Sequence, residues 1–120
     1  MRGFSEDLIG DALDALEAEN LLSDRRFTES FVLQRTARGQ GPLKIRYELR
    51  ERGVSDDLAA QYIEADRQGW CESALAARHK RFGAERPEDI KERSRQARFL
   101  ERRGFEREHI RYAMGERSRD

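Results

Sequence analysis

Gly53-Val54-Ser55-Asp56-Asp57-Leu58-Ala59 decides the fold, because the same series stands 50 residues earlier as Gly3-Phe4-Ser5-Glu6-Asp7-Leu8-Ile9. It recurs 51 residues later, more loosely, as Gly104-Phe105-Glu106-Arg107-Glu108-His109-Ile110. Each copy begins with a glycine able to close a preceding helix in the left-handed conformation, followed by an apolar residue and a Ser or Glu suited to open the next. Acidic residues fill the first turn, where the helix dipole is positive. Repetition at this interval predicts stacked helical units.

The apolar residues after each start keep step. Leu8, Ile9, Ala12 and Leu13 match Leu58, Ala59, Tyr62 and Ile63, and then His109, Ile110, Ala113 and Met114. The spacing places one stripe on one helical face, so each copy reads as an amphipathic helix with a buried side. Four residues ahead of the later glycines stand Leu49 and Leu100, within a second helix that spans Ile45 to Arg52 in one unit and Gln96 to Arg103 in the other. Gly39-Gln40-Gly41-Pro42 breaks the chain before the former: Gly39 ends a helix and Pro42 fits a first turn, which needs no donor from it. A first helix, capped by Ser23 or Asp24, carries Phe27, Phe31 and Val32. Its counterpart carries Cys71, Leu75 and Ala76, then Phe82 before Gly83. Arg86-Pro87-Glu88-Asp89 makes the second linkage longer.

The predicted fold is all-α: tandem three-helix repeats forming an elongated, curved stack. Residues 1–22 read as the last helix of an incomplete first repeat, residues 23–66 as the second repeat, and residues 67–120 as the third with a C-terminal tail. Composition agrees. Of 120 residues, 40% are charged and only 37% hydrophobic, which favours thin layers over one thick core.

Charge constrains function. Lys plus Arg and Asp plus Glu balance at 24 each, so bulk attraction to a polyanion is absent and any such attraction must be local. The bands alternate: residues 1–24 are net −6, 25–52 net +5, 53–70 net −3 and 71–120 net +4. The basic band holds Arg25, Arg26, Arg35, Arg38, Lys44, Arg46, Arg50 and Arg52, on the two helices flanking the Gly39 to Pro42 break. Guanidinium forks there can pair with carboxylates or phosphates, and Arg46 and Arg50 share one helical face. The bland alternative is a solvated face with local ion pairs.

Other chemistries fare poorly. Gly39-Gln40-Gly41-Pro42-Leu43-Lys44 lacks the glycine spacing, the Ser or Thr after Lys, and the preceding strand of a phosphate loop, so it reads as helix punctuation. The helices after Gly3 and Gly53 carry Glu6, Asp7, Asp11, Asp14, Asp56, Asp57, Glu64 and Asp66, which DNA phosphates would repel, so operator reading is not expected. Cys71 and His79, eight residues apart, would stand about 12 Å apart along a helix, too far to share a metal. No nucleophile and base are brought together, so no catalytic residue, metal or cofactor is expected. Trp70 reads as a packed residue. A single cysteine, no signal peptide and no long apolar run predict a cytosolic protein with no membrane contact, and the lack of a long apolar stripe once the repeats are stacked predicts a monomer.

Specific stretches resemble the RecX family of RecA regulators over nearly the whole chain. They are Leu22-Ser23-Asp24-Arg25-Arg26-Phe27, Arg35-Thr36-Ala37-Arg38-Gly39-Gln40-Gly41-Pro42, Ile45 with Glu48-Leu49-Arg50-Glu51-Arg52-Gly53-Val54, and Arg98-Phe99-Leu100-Glu101-Arg102-Arg103-Gly104-Phe105. Thr28 departs from the smaller Ala expected there. The resemblance implies a protein that binds in the groove of the RecA filament on single-stranded DNA and restrains its ATPase and strand exchange, tuning recombination, DNA repair and the SOS response. The alternative from the residues alone is a DNA-binding accessory protein acting through basic helical faces.

Overall fold

A computed structural model describes residues 6–65 and 69–116, with the side chains of residues 6–11 outside the described set. Among the described residues there are six helices and no strand. They are α1 (Glu6–Ala37), α2 (Pro42–Glu51), α3 (Asp56–Glu64), α4 (Gly69–Phe82), α5 (Ile90–Arg102) and α6 (Arg107–Ala113).

The second and third helices of the two units are built alike from their local signals. After α2, Gly53 takes φ +85°, its amide donates to Arg50 O at 3.0 Å, and the Val54 amide donates to Leu49 O at 3.0 Å. After α5, Gly104 takes φ +96°, with Gly104 N to Glu101 O at 3.0 Å and Phe105 N to Leu100 O at 3.2 Å. Both are left-handed glycine closures in which two orphan carbonyls find donors. Their apolar partners, Val54 with Leu49 and Phe105 with Leu100, are buried together. Ser55 then caps α3 by accepting from the Leu58 amide, and Asp89 caps α5 by accepting from the Glu92 amide. Pro42 opens α2 behind an extended Gly41, and Gly39 closes α1, as the sequence pattern anticipates.

In two of the three copies the stripes bury in large part. Leu58, Ala59 and Ile63 are buried on α3 with Tyr62 half-buried, and His109 and Ala113 on α6 and Met114 just after it are buried with Ile110 half-buried. In the first copy Ala12 and Leu13 are exposed, and Leu8 and Ile9 lie outside the described side chains. The start of that copy, Gly3 to Ser5, is likewise outside the described residues. A second difference concerns Ser23 and Asp24, which cap nothing: α1 runs through them without a break. Residues 11–37 contain neither glycine nor proline. Ser and Asp cost only about half a kcal/mol each in a helix interior, too little to interrupt a helix whose flanking residues are rich in Leu, Ala, Glu and Arg.

The first unit packs α1 through Phe31 and Val32 against α2 and α3, around Ile45 and Leu49, both fully buried. In the second, α4 lies along α6. Its buried seam is Trp70, Ala74 and Arg78 rather than Cys71, Leu75 and Ala76, of which Ala76 is exposed and the other two half-buried. Arg78 hides that register from a hydrophobicity reading, because a charged side chain occupies the third position of the stripe. Tyr112 donates its hydroxyl hydrogen to Glu72, tying α6 to α4 again. The Trp70 indole N–H donates to Ile63 O at 2.9 Å across the link between units.

A second link is backbone to backbone. The Gly41 amide donates to Arg103 O at 2.7 Å and the Leu43 amide to Gly104 O at 2.9 Å, so the start of α2 docks on the α5–α6 turn. These amides belong to the free donors that every helix start exposes, and here carbonyls of the next unit satisfy them. The two units therefore share one core cluster, from Phe31 to Met114. The molecule is long for its size: its extents are 80 × 29 × 17 Å and its radius of gyration 20.5 Å. A compact chain of this length would have about 14 Å.

Candidate partner-binding surface

The eight basic residues of the 25–52 band fall into separate groups. Arg25 and Arg26 project from the exposed middle of α1. Arg35 and Arg52 converge on the Phe31 ring, their guanidinium carbons 4.6 and 4.8 Å from its centroid. Each gains a modest cation–π attraction there, and together they clamp the end of α1 to the end of α2. Arg46 and Arg50 do share a face of α2, and that face leans on α3. Arg50 makes a two-pronged contact with Asp56, at 3.1 and 3.2 Å, and Arg46 reaches Glu64 at 3.8 Å. Such exposed pairs are worth little in stability and break readily when a stronger anion competes. Lys44 is exposed above Gly104.

Arg38 belongs to a different constellation. It rims a groove of about 350 Å³ between the end of α1, α4 and α5, together with Lys80, Arg81 and Arg103. Ala77 and Phe99 line the same groove, and among the described residues no Asp or Glu side chain does. The Arg103 guanidinium donates to Arg38 O at 3.3 Å and lies 5.0 Å from the Phe99 centroid. Phe82 meets Phe99 edge to face at 5.2 Å, with Arg81 and Arg95 over these rings. Sequence reading missed this cluster because its members come from residues 38, 80–81 and 99–103, distant in the chain. The signal available was the run of basic residues ending α4 and α5. A larger hollow beside α5 and α6, about 590 Å³, is mixed in sign, and its Arg93 and Arg111 are both paired to Glu116.

Two further polar groups are structural. Arg78, buried, donates to Ala113 O at 2.8 Å, to Glu85 O at 3.1 Å and to Gln96 Oε1 at 3.1 Å. Burial first, and then the charge of Arg86, draw its pKa below the ordinary guanidinium value. His109, also buried, accepts from the Glu106 amide through Nδ1 at 3.2 Å. Its other nitrogen lies 3.6 Å from Glu108 and 4.0 Å from Glu106. Glu106, Glu108 and His109 stand close enough to suggest a metal centre. The bond at Nδ1 puts the proton of a neutral ring on Nε2, however, which removes the lone pair a metal would need. Burial lowers the His109 pKa, with the two glutamates opposing.

The Gly39 to Lys44 turn has no anion-binding capacity at its two best-placed amides, since Gly41 and Leu43 already donate to the next unit. No helix among the described residues is long and apolar enough to cross a membrane.

Comparison with known proteins places both units. Residues 23–63 match the family described as RecX, second three-helix domain, and residues 71–114 match RecX, third three-helix domain. The Regulatory protein RecX of Halorhodospira halophila is 43% identical over 119 residues, covering 99% of this chain and 74% of that protein. Its namesake in Chromohalobacter salexigens is 46% identical over 113 residues, 94% of this chain and 74% of the relative. That of Pseudomonas putida is 39% identical over 104 residues, 87% and 67% respectively.

Proposed function

The chain belongs to the RecX family of regulatory proteins, and from that premise we propose that it binds the RecA filament on single-stranded DNA and restrains ATP hydrolysis and strand exchange. The observation that carries this reading is the pair of docked units. Two family domains joined by backbone hydrogen bonds make an extended body suited to contacting several subunits of a helical polymer at once. Binding to repeated sites in this way multiplies weak contacts through effective concentration. The contact is made by the basic band, Arg25, Arg26, Arg35, Arg38, Lys44, Arg46, Arg50 and Arg52. Arg46 and Arg50 exchange Glu64 and Asp56 for carboxylates or phosphates of the filament. No catalytic step is assigned to this chain. It acts in the cytoplasm, as a monomer, on DNA repair, recombination and the SOS response.

Co-sedimentation tests this directly. The protein pellets with RecA assembled on single-stranded DNA in the presence of a slowly hydrolysed ATP analogue, and far less with the same DNA alone. Pelleting with naked DNA to the same extent would support the DNA-binding accessory reading instead. Zero net charge and the ion-paired state of Arg46 and Arg50 favour the filament.

A further inference from the structure

The groove between α1, α4 and α5 has a use that the family reading does not supply. Four cationic side chains, Arg38, Lys80, Arg81 and Arg103, surround Ala77 and Phe99, and no carboxylate lines the space among the described residues. One ordinary explanation is that basic residues near helix ends offset helix dipoles, since α1, α4 and α5 all finish here. Three such ends carry only about half a negative charge each, which leaves more than half of the four positive charges unanswered. Several arginines elsewhere are answered by carboxylates: Arg50 by Asp56, Arg93 and Arg111 by Glu116, and Arg95 by Glu92. What sets this group apart is that its cations converge on a concave surface with an apolar floor.

An apolar floor inside a basic rim fits one occupant best. Single-stranded nucleic acid would need an open aromatic face on which to stack a base. Phe99 does not offer one, because Arg81 and Arg103 lie over it and Phe82 meets it edge to face. A peptide bearing carboxylates on either side of an apolar residue matches both features: the apolar residue sits over Ala77, and the carboxylates reach the rim. Thr36 and Ser73, also lining the groove, add hydroxyl donors for such carboxylates.

We propose that this groove binds an acidic peptide segment, with an apolar residue between its carboxylates, supplied by a protein partner. The site spans the joint between the two units, so its occupant also couples their relative placement. It goes beyond the filament reading, because it specifies a ligand chemistry without requiring that RecA provide it.

The test is fluorescence anisotropy on the full chain with three labelled probes. One is a peptide of roughly twelve residues with leucines among glutamates. The second replaces those leucines by serine, and the third is an oligothymidylate of similar charge. The leucine-containing peptide is expected to bind saturably and at least about tenfold tighter than either control at equal salt. Lys80→Glu with Arg81→Glu should weaken it by about tenfold or more while circular dichroism stays unchanged. Ala76→Glu, which sets a carboxylate into the groove at an exposed position, provides the same test with a single change. Equal binding of the serine peptide, tighter binding of the oligothymidylate, or unchanged affinity in both variants would each overturn the assignment. RecA co-sedimentation in the same variants reads out separately, so failure of the groove and failure of the filament reading are distinguishable.

Discussion

Gly41 and Gly104, from different units, meet so closely that a Cβ on Gly41 would stand 2.5 Å from the Gly104 carbonyl oxygen. A Cβ on Gly104 would stand 2.6 Å from the Lys44 backbone nitrogen. Neither neighbour is the free end of a flexible side chain, so the pair sets how one unit sits on the next. The two glycines permit the close backbone contact through which the start of α2 docks on the α5–α6 turn.

Gly104→Ala and Gly53→Ala separate the joint from the turn. Both residues hold φ near +90°, but nothing lies within 4 Å of a Cβ at Gly53. Gly53→Ala should therefore cost about 1 kcal/mol of backbone strain. Gly104→Ala should cost roughly 2 kcal/mol more, because overpacking adds to that strain. Urea denaturation followed by circular dichroism measures the difference. Equal losses would mean that the contact between units contributes nothing.

Arg78→Met removes the donor that serves Ala113 O, Glu85 O and Gln96 Oε1 at once. Shape is nearly kept, but buried acceptors are left unpaired, and a loss of about 2–4 kcal/mol follows. Thermal denaturation should show a large drop in Tm, and Gln96→Leu added to Arg78→Met should recover part of it.

Protonation of His109 opposes folding. Its folded pKa lies below the ordinary value of 6.5, because burial disfavours the charged ring more than Glu106 and Glu108 favour it. The unfolded chain then binds more protons between the two pKa values. This contribution to stability is thus complete above about pH 6.5 and is lost as pH falls toward and through the folded pKa. Denaturation midpoints measured from pH 7.5 down to about 5 should decline in the wild type, and His109→Gln should flatten that decline.

Arg46→Ala with Arg50→Ala should leave helicity intact and weaken filament binding. Each forms an exposed pair, worth at most about 1 kcal/mol. Co-sedimentation with RecA on single-stranded DNA should fall while the circular dichroism spectrum is unchanged. A parallel loss of helicity would mark both arginines as purely structural.

Much of this was legible in the sequence because the decisive signals are local. The Gly53 and Gly104 closures, the Ser55 cap, the Pro42 start and the stripes of α3 and α6 each depend on residues within one turn of each other. What was misread depends on distant partners. Ser23 and Asp24 carry a cap signal that a run of helix formers overrides. The stripe at Ala12 and Leu13 marks a face that meets no described residue. Arg78 interrupts the apolar pattern of α4 because its partners, Gln96 and Ala113, lie on or at the ends of other helices. The basic band was visible as composition, but its division among Phe31, Glu64, Asp56 and the Phe99 groove required the packing of units. Arg81 and Arg103 enter the Phe99 groove with no signal linking them in the chain.

Steady-state ATP hydrolysis by RecA on single-stranded DNA, titrated with the full chain, tests the central claim most directly. Two docked units lying along the filament should lower turnover progressively to a plateau, at protein concentrations below those that bind naked DNA. Turnover unchanged at saturating protein would contradict it.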